Sequence, residues 1–365
     1  MEIHQVVQAL SYGDAVSNNA IALRGILREM GYRSDIYARW YDPRVSKYIR
    51  PLNKYKGNAA NIIFYHFPLA GGEVTEFVKS LPDKKVLIYH NITPPEFFYK
   101  FEKTSALKCA EGLQEIKGLA GHFDMALGVS EFNRQALIDY GFENTDILPI
   151  FLDLDKFDLA DEKKPESVKK NGDVNFLFVG RLAPNKCDED IIKSFFCYNR
   201  FINENSKLYL VGSKQIRTYT SHLELLVKSL GLDDSVIFTG SVKDAELKCY
   251  YKHADIFLCM SEHEGFCVPL LEAMHFQIPI VAYRSTGIPH TLGSSGLIVN
   301  EKDYIRIAEL INIVLQDKQL KEKIQAKQEK RLKEFDRDMI AESLFSIIDN
   351  VYSATPIDSR SSAGK

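Results

Sequence analysis

Two glutamates, Glu264 and Glu272, stand with seven residues between them in the stretch SEHEGFCVPLLEAM (261–274). Pro269 lies between them, and proline suits the opening of a helix because its φ is already right and its missing N–H would be unpaired there. The spacing therefore predicts Glu264 in a loop and Glu272 on the helix that follows. Free N–H groups of a first helical turn, together with the helix dipole, favour an anion. Glu272 could then accept two hydroxyl hydrogen bonds, as a ribose diol offers them, with Glu264 nearer a sugar. The plainer reading is a capping acid and a helix-surface acid. Their framing by Gly265, Phe266 and Pro269 favours function.

A second constellation is GRLAPNK (180–186), in which Arg181 follows Gly180 and Lys186 lies five positions on. Two cations at a strand exit can neutralise a diphosphate; otherwise they are solvated surface charges. Three apolar runs end in glycine, at Gly180, Gly212 and Gly240. Glycine tolerates positive φ and lets backbone approach a ligand closely. Open α/β sheets bind ligands outside the carboxyl ends of their strands, so three such ends predict a nucleotide-binding edge. No GxxxxGK[ST] loop is present, and no GxGxxG follows a strand, which disfavours a P-loop NTPase or a dinucleotide oxidoreductase.

The elements that must position these residues alternate along the chain. Ile3–Leu10 reads as a strand, followed by the polar turn SYGDAVSN and a helix from Asn19 to Met30 that stops at Gly31. NIIFYH (61–66), KVLIYH (85–90), MALGVS (125–130) and DILPIF (146–151) are further strands of the first half. NFLFVG (175–180), KLYLVG (207–212), SVIFTG (235–240), DIFLCMS (255–261) and IPIVAY (278–283) repeat the pattern more clearly. Near-continuous apolar runs of this kind suit parallel strands buried on both faces. Helices such as Ser221–Leu230 lie between them, and Asp303–Lys333 reads as helical, with Lys318–Lys333 mostly a solvated face. The alternation predicts an α/β fold of doubly wound parallel sheets.

A length of 365 residues implies about two domains. Residues 1–157 and 174–336 form them in this reading, joined by a charged, apolar-poor linker at 158–173. A helix at about 337–353 is expected to pack back on the first domain, ahead of a disordered tail at 354–365. A net charge of −3 without a basic stripe argues against nucleic acid as a partner. The N-terminus carries no signal peptide pattern, and no apolar run approaches the roughly 20 residues that span a bilayer. The six cysteines include no CxxC pair and read as reduced, buried thiols of a cytoplasmic protein.

GRLAPNK, LVGS, VIFTG, EGFCVPLLEAM and IPIVAYRSTGIPHTLGSSGLIV occur in the order found in family-4 retaining glycosyltransferases of the GT-B fold. The first half, with GVSEFNRQALIDYGF and LPIFLDLDKF, resembles that family's acceptor domain. The resemblance covers nearly the whole chain and implies two Rossmann-like domains facing each other across a cleft. By it, Arg181 and Lys186 hold the diphosphate and help the nucleotide leave. Glu264 contacts the donor sugar, with Phe266, Cys267 and Val268 beside it, and Glu272 contacts the ribose. Gly180, Gly212 and Gly240 form the nucleotide edge, and Gly13 belongs to the loop that faces the diphosphate. His90 matches the histidine that contacts the donor sugar near the reacting carbon, while His66 has a weaker claim. Cys187 and Cys267 stand where the family usually has glycine.

The resemblance further implies a metal-independent hexosyltransferase without cofactor, acting with retention, by front-face attack in preference to a covalent double displacement through Glu264. The segment LSYGDAVSNN is similar to bacterial surface-polysaccharide mannosyltransferases, which favours GDP-mannose as donor over a UDP-sugar. The acceptor is expected to be a glycan or a lipid-linked oligosaccharide in polysaccharide biosynthesis. EFFYKFEK (96–103) mixes aromatics with lysines as a segment docking on the inner face of a membrane would, although such aromatics also serve as core. Three alternatives stand beside this reading. One is a metal-dependent transferase using Asp153-Leu154-Asp155 as a DxD motif. The others are a sugar-nucleotide 2-epimerase and a catalytically silent nucleotide-sugar-binding protein.

Overall fold

A computed structural model describes residues 1–159, Val168 and 174–353. The expected linker and tail fall largely outside these described residues. The chain forms two compact units. The first consists of Met1–Ile92, Lys108–Leu152 and the chain from Phe335 onward; the second consists of Thr93–Leu107 and Asp153–Glu334.

The first half of the chain runs through β1 (Ile3–Leu10), α1 (Ala15–Glu29), β2 (Ile36–Tyr41), β3 (Ile49–Pro51), β4 (Ile62–Phe67) and α2 (Glu73–Ser80). It continues through β5 (Lys84–Tyr89), α3 (Lys103–Lys117), β6 (Met125–Gly128), α4 (Glu131–Asp139) and β7 (Thr145–Ile147). Next come α5 (Asp155–Leu159), β8 (Val174–Val179), α6 (Asp188–Phe201), β9 (Ser206–Val211), α7 (Arg217–Ser229) and β10 (Val236–Gly240). Then follow α8 (Asp244–His253), β11 (Ile256–Cys259), α9 (Val268–His275), β12 (Ile280–Tyr283), α10 (Ile288–Leu292) and β13 (Leu297–Val299). Three helices close the described chain: α11 (Tyr304–Gln316), α12 (Lys318–Lys333) and α13 (Arg337–Ser353).

The strands pair in parallel throughout, in the orders β3-β2-β1-β4-β5-β6-β7 and β10-β9-β8-β11-β12-β13. Parallel neighbours need crossovers, and crossovers are right-handed. Each order reverses once, between β1 and β4 and between β8 and β11, so the helices are distributed to both faces of each sheet. The doubly wound reading is therefore correct for both units. Continuous apolar runs explain it: Phe176, Leu177 and Phe178 of β8 and Ile256, Phe257 and Leu258 of β11 are all buried.

Several expectations need correction. Helix α1 starts at Ala15 rather than Asn19, because Asp14 caps it through a 3.0 Å bond from the Ser17 N–H to its carboxylate. The strand expected at 146–151 stops at Ile147, ahead of Pro149, which has no N–H for a ladder. Asp303–Lys333 is two helices, broken at Asp317, whose carboxylate accepts from the Leu320 N–H at 2.9 Å and opens α12. One seam of α12 is not solvated: Ile324 and Gln328 are buried, and Gln328 donates to the Ile278 carbonyl at 2.7 Å. Strands β2, β3 and β13 were not anticipated. Only the first half of β2 is buried, and the other two are three residues long.

Residues 93–107 pack with the second unit. There Phe98 is buried and Phe101 lies edge-on to Tyr219 at 5.0 Å. Phe97 lies 6.2 Å from the His263 ring, which leaves Tyr99 as the exposed aromatic of that segment. Helix α13 belongs to the first unit, burying Leu344, Ile348 and Val351 and pairing Arg337 with Glu29 of α1 at 2.6 Å.

Candidate functional site

Lys186 and Glu264 follow the two strands that flank the reversal in the second sheet. This is where an open α/β sheet leaves a crevice for a ligand. Their side chains meet at 2.5 Å. Glu264 is buried and the Lys186 side chain is mostly so. Burial works against the ammonium charge of Lys186, but the Glu264 carboxylate, with smaller contributions from Cys267 and Cys259, more than offsets it and the group titrates above its ordinary value. Lys186 is therefore a fixed cation.

Two clamps hold the pair. Asn185 is buried, donates from Nδ2 to the His263 carbonyl at 2.9 Å, and receives the Glu262 N–H on its own carbonyl at 2.9 Å. On the other side the Glu264 N–H donates to the Thr286 hydroxyl at 2.8 Å, and the Gly287 N–H donates to the Glu264 carbonyl at 3.0 Å. A Cβ on Gly287 would lie 2.3 Å from the Gly265 carbonyl oxygen, so this approach requires glycine. Asn185, Thr286 and Gly287 were not assigned roles from sequence. The only available signal was a Thr-Gly pair after the apolar run IPIVAY.

Glu272 lies on α9, with Pro269 one residue inside the helix start at Val268. It is buried but already partnered: Lys156 donates to Oε1 at 2.9 Å and the Tyr251 hydroxyl donates to Oε2 at 2.7 Å. Burial and then the Glu272 charge push the Tyr251 phenol well above its ordinary range, so it remains a donor. Each carboxylate oxygen has a second lone pair for a ligand hydroxyl. Lys156 and Tyr251 were also missed in the sequence, being 116 and 21 residues distant. Arg181 is exposed just beyond Gly180.

The two cysteines at usual glycine positions share one conformation. Cys187 has φ 51° and Cys267 has φ 72°, both left-handed and both immediately before a helix, α6 and α9. That conformation is why glycine fits there. Phe266 is buried ahead of Cys267, and Val268 begins α9. Cys259 Sγ, a Glu264 carboxylate oxygen and Cys267 Sγ lie within 4.8 Å of one another, a donor set suited to a soft divalent ion. Here the Lys186 ammonium supplies the positive charge. Likewise Cys187, Asp190 and Glu262 cluster, and Lys302 bridges the two carboxylates at 2.6 and 2.7 Å. The rim glycines are explained by backbone. Gly212 has φ 155°, and a Cβ there would lie 1.8 Å from the Gly180 carbonyl oxygen; Gly240 has φ 72°.

Residues 160–331 match the family described as glycosyl transferases group 1. This stretch is thus similar to a group 1 glycosyl transferase domain. The chain is 26% identical over 256 residues to the capsular polysaccharide biosynthesis glycosyltransferase CapM of Staphylococcus aureus, covering 68% of this chain and 64% of that protein. It is 28% identical over 149 residues to the GDP-mannose-dependent α-(1-6)-phosphatidylinositol monomannoside mannosyltransferase of Mycobacterium tuberculosis, covering 38% of each. The chain thus spans less than two thirds of the length of either relative. Among solved structures, Anabaena Alr3699/HepE in complex with UDP and glucose superimposes with a TM-score of 0.73 at 19% identity, covering 96% of this chain and 99% of that one. Both units thus have the Rossmann-like form of the GT-B fold.

Outside residues 160–331, the first unit holds the remaining sequence-predicted residues. Gly13, at φ 77°, sits in the turn between β1 and the Asp14 cap of α1. His90 follows β5 directly, and its Nε2 lies 2.8 Å from Nδ1 of His66 on β4. Asp153, at the edge of the second unit, accepts the Asp155 N–H at 3.2 Å where α5 begins, a local helix-capping task for half of the DxD string.

Proposed function

We propose that this chain is a retaining, metal-independent hexosyltransferase that moves a sugar from a nucleotide donor to a glycan or lipid-linked acceptor in polysaccharide or glycolipid biosynthesis. The observation that carries this reading is the Lys186–Glu264 pair, clamped at the strand-order reversal of the group 1 domain at the start of α9. Lys186, Arg181 and the first turn of α9 would neutralise the diphosphate, and Glu272 would take the ribose hydroxyls. In the transfer step an acceptor hydroxyl oxygen bonds to the anomeric carbon as the carbon–oxygen bond to the diphosphate breaks. The hydroxyl proton passes to a departing phosphate oxygen on the same face, which retains configuration. Catalysis is then positioning and charge stabilisation by fixed groups.

GDP-mannose is the first donor to test, on the LSYGDAVSNN resemblance and the mannosyltransferase relative. A UDP-sugar is the second reading, favoured by the fold neighbour seen with UDP and glucose. A location at the inner face of the membrane belongs to the same proposal, on the exposed Tyr99 and Lys100 of the 96–103 segment; no described helix is long and apolar enough to cross a membrane. A thermal-shift panel of nucleotides and nucleotide sugars tests the donor. The cognate one should raise the melting temperature, since ligand at about 100 times its Kd adds about 2.7 kcal/mol of apparent stability. If no nucleotide sugar stabilises the chain, the reading fails.

A further inference from the structure

Three side chains of the first unit form a line of hydrogen bonds whose direction can be worked out. Gln5 on β1 donates from Nε2 to the Ala20 carbonyl at 2.9 Å. Its Oε1 is therefore the atom that faces His66 Nε2, at 2.8 Å. An amide turned the other way would set oxygen against a carbonyl oxygen, and two acceptors make no bond. Since Gln5 Oε1 can only accept, His66 Nε2 carries a hydrogen.

Burial lowers the His66 pKa to about 3. Burial, and secondarily His66 itself, holds His90 well below its ordinary value. Both rings are neutral near pH 7, with one N–H each. His66 Nδ1 is then bare and accepts from His90 Nε2 at 2.8 Å, the two rings lying nearly parallel at 12°. The single hydrogen of His90 is thereby used. Its Nδ1 is left as a lone pair, buried and with no bond from any described residue. An unmet buried acceptor is destabilising, and a ligand hydroxyl would offset that.

The line runs from the strands at the reversal of the first sheet, β1 and β4, to the carboxyl end of β5. We propose that Gln5 and His66 are positioning residues that hold His90 as its Nε2–H tautomer, so that Nδ1 accepts a hydrogen bond from a sugar hydroxyl. This rests on the transferase reading above and adds which nitrogen is presented and what fixes it. The opposite tautomer would instead donate from Nδ1–H to whatever acceptor stands there, a role that a hydroxyl oxygen or, weakly, fluorine can fill. The line therefore selects for a sugar that donates at this position and against one carrying hydrogen or fluorine there.

Long-range 15N–1H NMR of the histidine-labelled whole chain reads the tautomer without any substrate, alongside kinetics of two variants. In the wild type His90 should carry its hydrogen on Nε2. His66→Asn keeps an acceptor where Nδ1 was, and should preserve that tautomer with kcat within about threefold. His66→Leu removes the acceptor. It should let His90 populate both tautomers and lower kcat about tenfold or more, equivalent to about 1.4 kcal/mol, while the KM for donor changes little. Wild-type His90 protonated on Nδ1 would overturn the proposal, as would His66→Leu with unchanged tautomer and kcat. The two readings fail separately. An intact tautomer in a chain that turns over no nucleotide sugar would sink the transferase, and turnover with the wrong tautomer would sink only the hydrogen-bond line.

Discussion

At the scale of single residues, the Lys186–Glu264 contact joins two charges that depend on each other. Removing one partner of a buried pair leaves the other charge uncompensated. Lys186→Ala should therefore lower turnover by about two orders of magnitude or more, since stabilising a leaving group is worth several kcal/mol, and should also lower the melting temperature. The double variant Lys186→Ala/Glu264→Gln should recover the melting temperature but not the turnover, because the unpaired charge is gone while the diphosphate remains uncompensated. Glu264→Ala should depress the rate at saturating donor. Glu272→Ala should mainly raise the KM for donor, a ribose contact being equal in ground and transition states. Steady-state kinetics and differential scanning fluorimetry check these outcomes, and a reversed assignment of the two glutamates would contradict the site as described.

Elements carry the next level of the account, because strand ends and loop clamps set where those side chains point. Gly212→Ala would drive a Cβ to 1.8 Å from the Gly180 carbonyl oxygen. Backbone cannot yield as a side-chain tip does, so the cost should be about 3 kcal/mol or more in chemical denaturation, with weaker nucleotide binding. Gly231→Ala is the control: φ is 65° and nothing lies within 4 Å of the added atom, so only left-handed strain is added, at a cost of about 1–2 kcal/mol. The strands around this rim were legible because they are apolar without interruption, and α9 because Pro269 marks its start. The beginning of α1 was not, since Gly13-Asp14 reads as turn until Asp14 is seen capping Ser17. Nor was β2, whose second half is exposed and lacks the apolar run. The clamps were invisible for a different reason. Asn185 reaches His263 over 78 positions, and Lys156 reaches Glu272 over 116. No local period or spacing encodes a contact that long. The resemblance points to Glu264, Lys186 and His90 but not to the groups that hold them.

Taken as a whole molecule, the chain builds two sheets that each reverse strand order once, and polar machinery gathers at both reversals. In the second unit this is Lys186 and Glu264, with Glu272 on α9; in the first it is Gln5 and His66 leading to His90. On the proposed reading the charge of Lys186 stands where a divalent ion would otherwise be needed for the diphosphate, while Asp153 of the DxD string accepts the Asp155 N–H at the start of α5. The direct test of metal-free sugar transfer is release of nucleoside diphosphate from GDP-mannose and a set of UDP-sugars by the whole chain, with and without excess EDTA. Release from one donor should persist in EDTA at an unchanged rate and fall about a hundredfold in Lys186→Ala. Complete loss in EDTA, restored by manganese or magnesium, would contradict the account and return attention to Asp153 and Asp155.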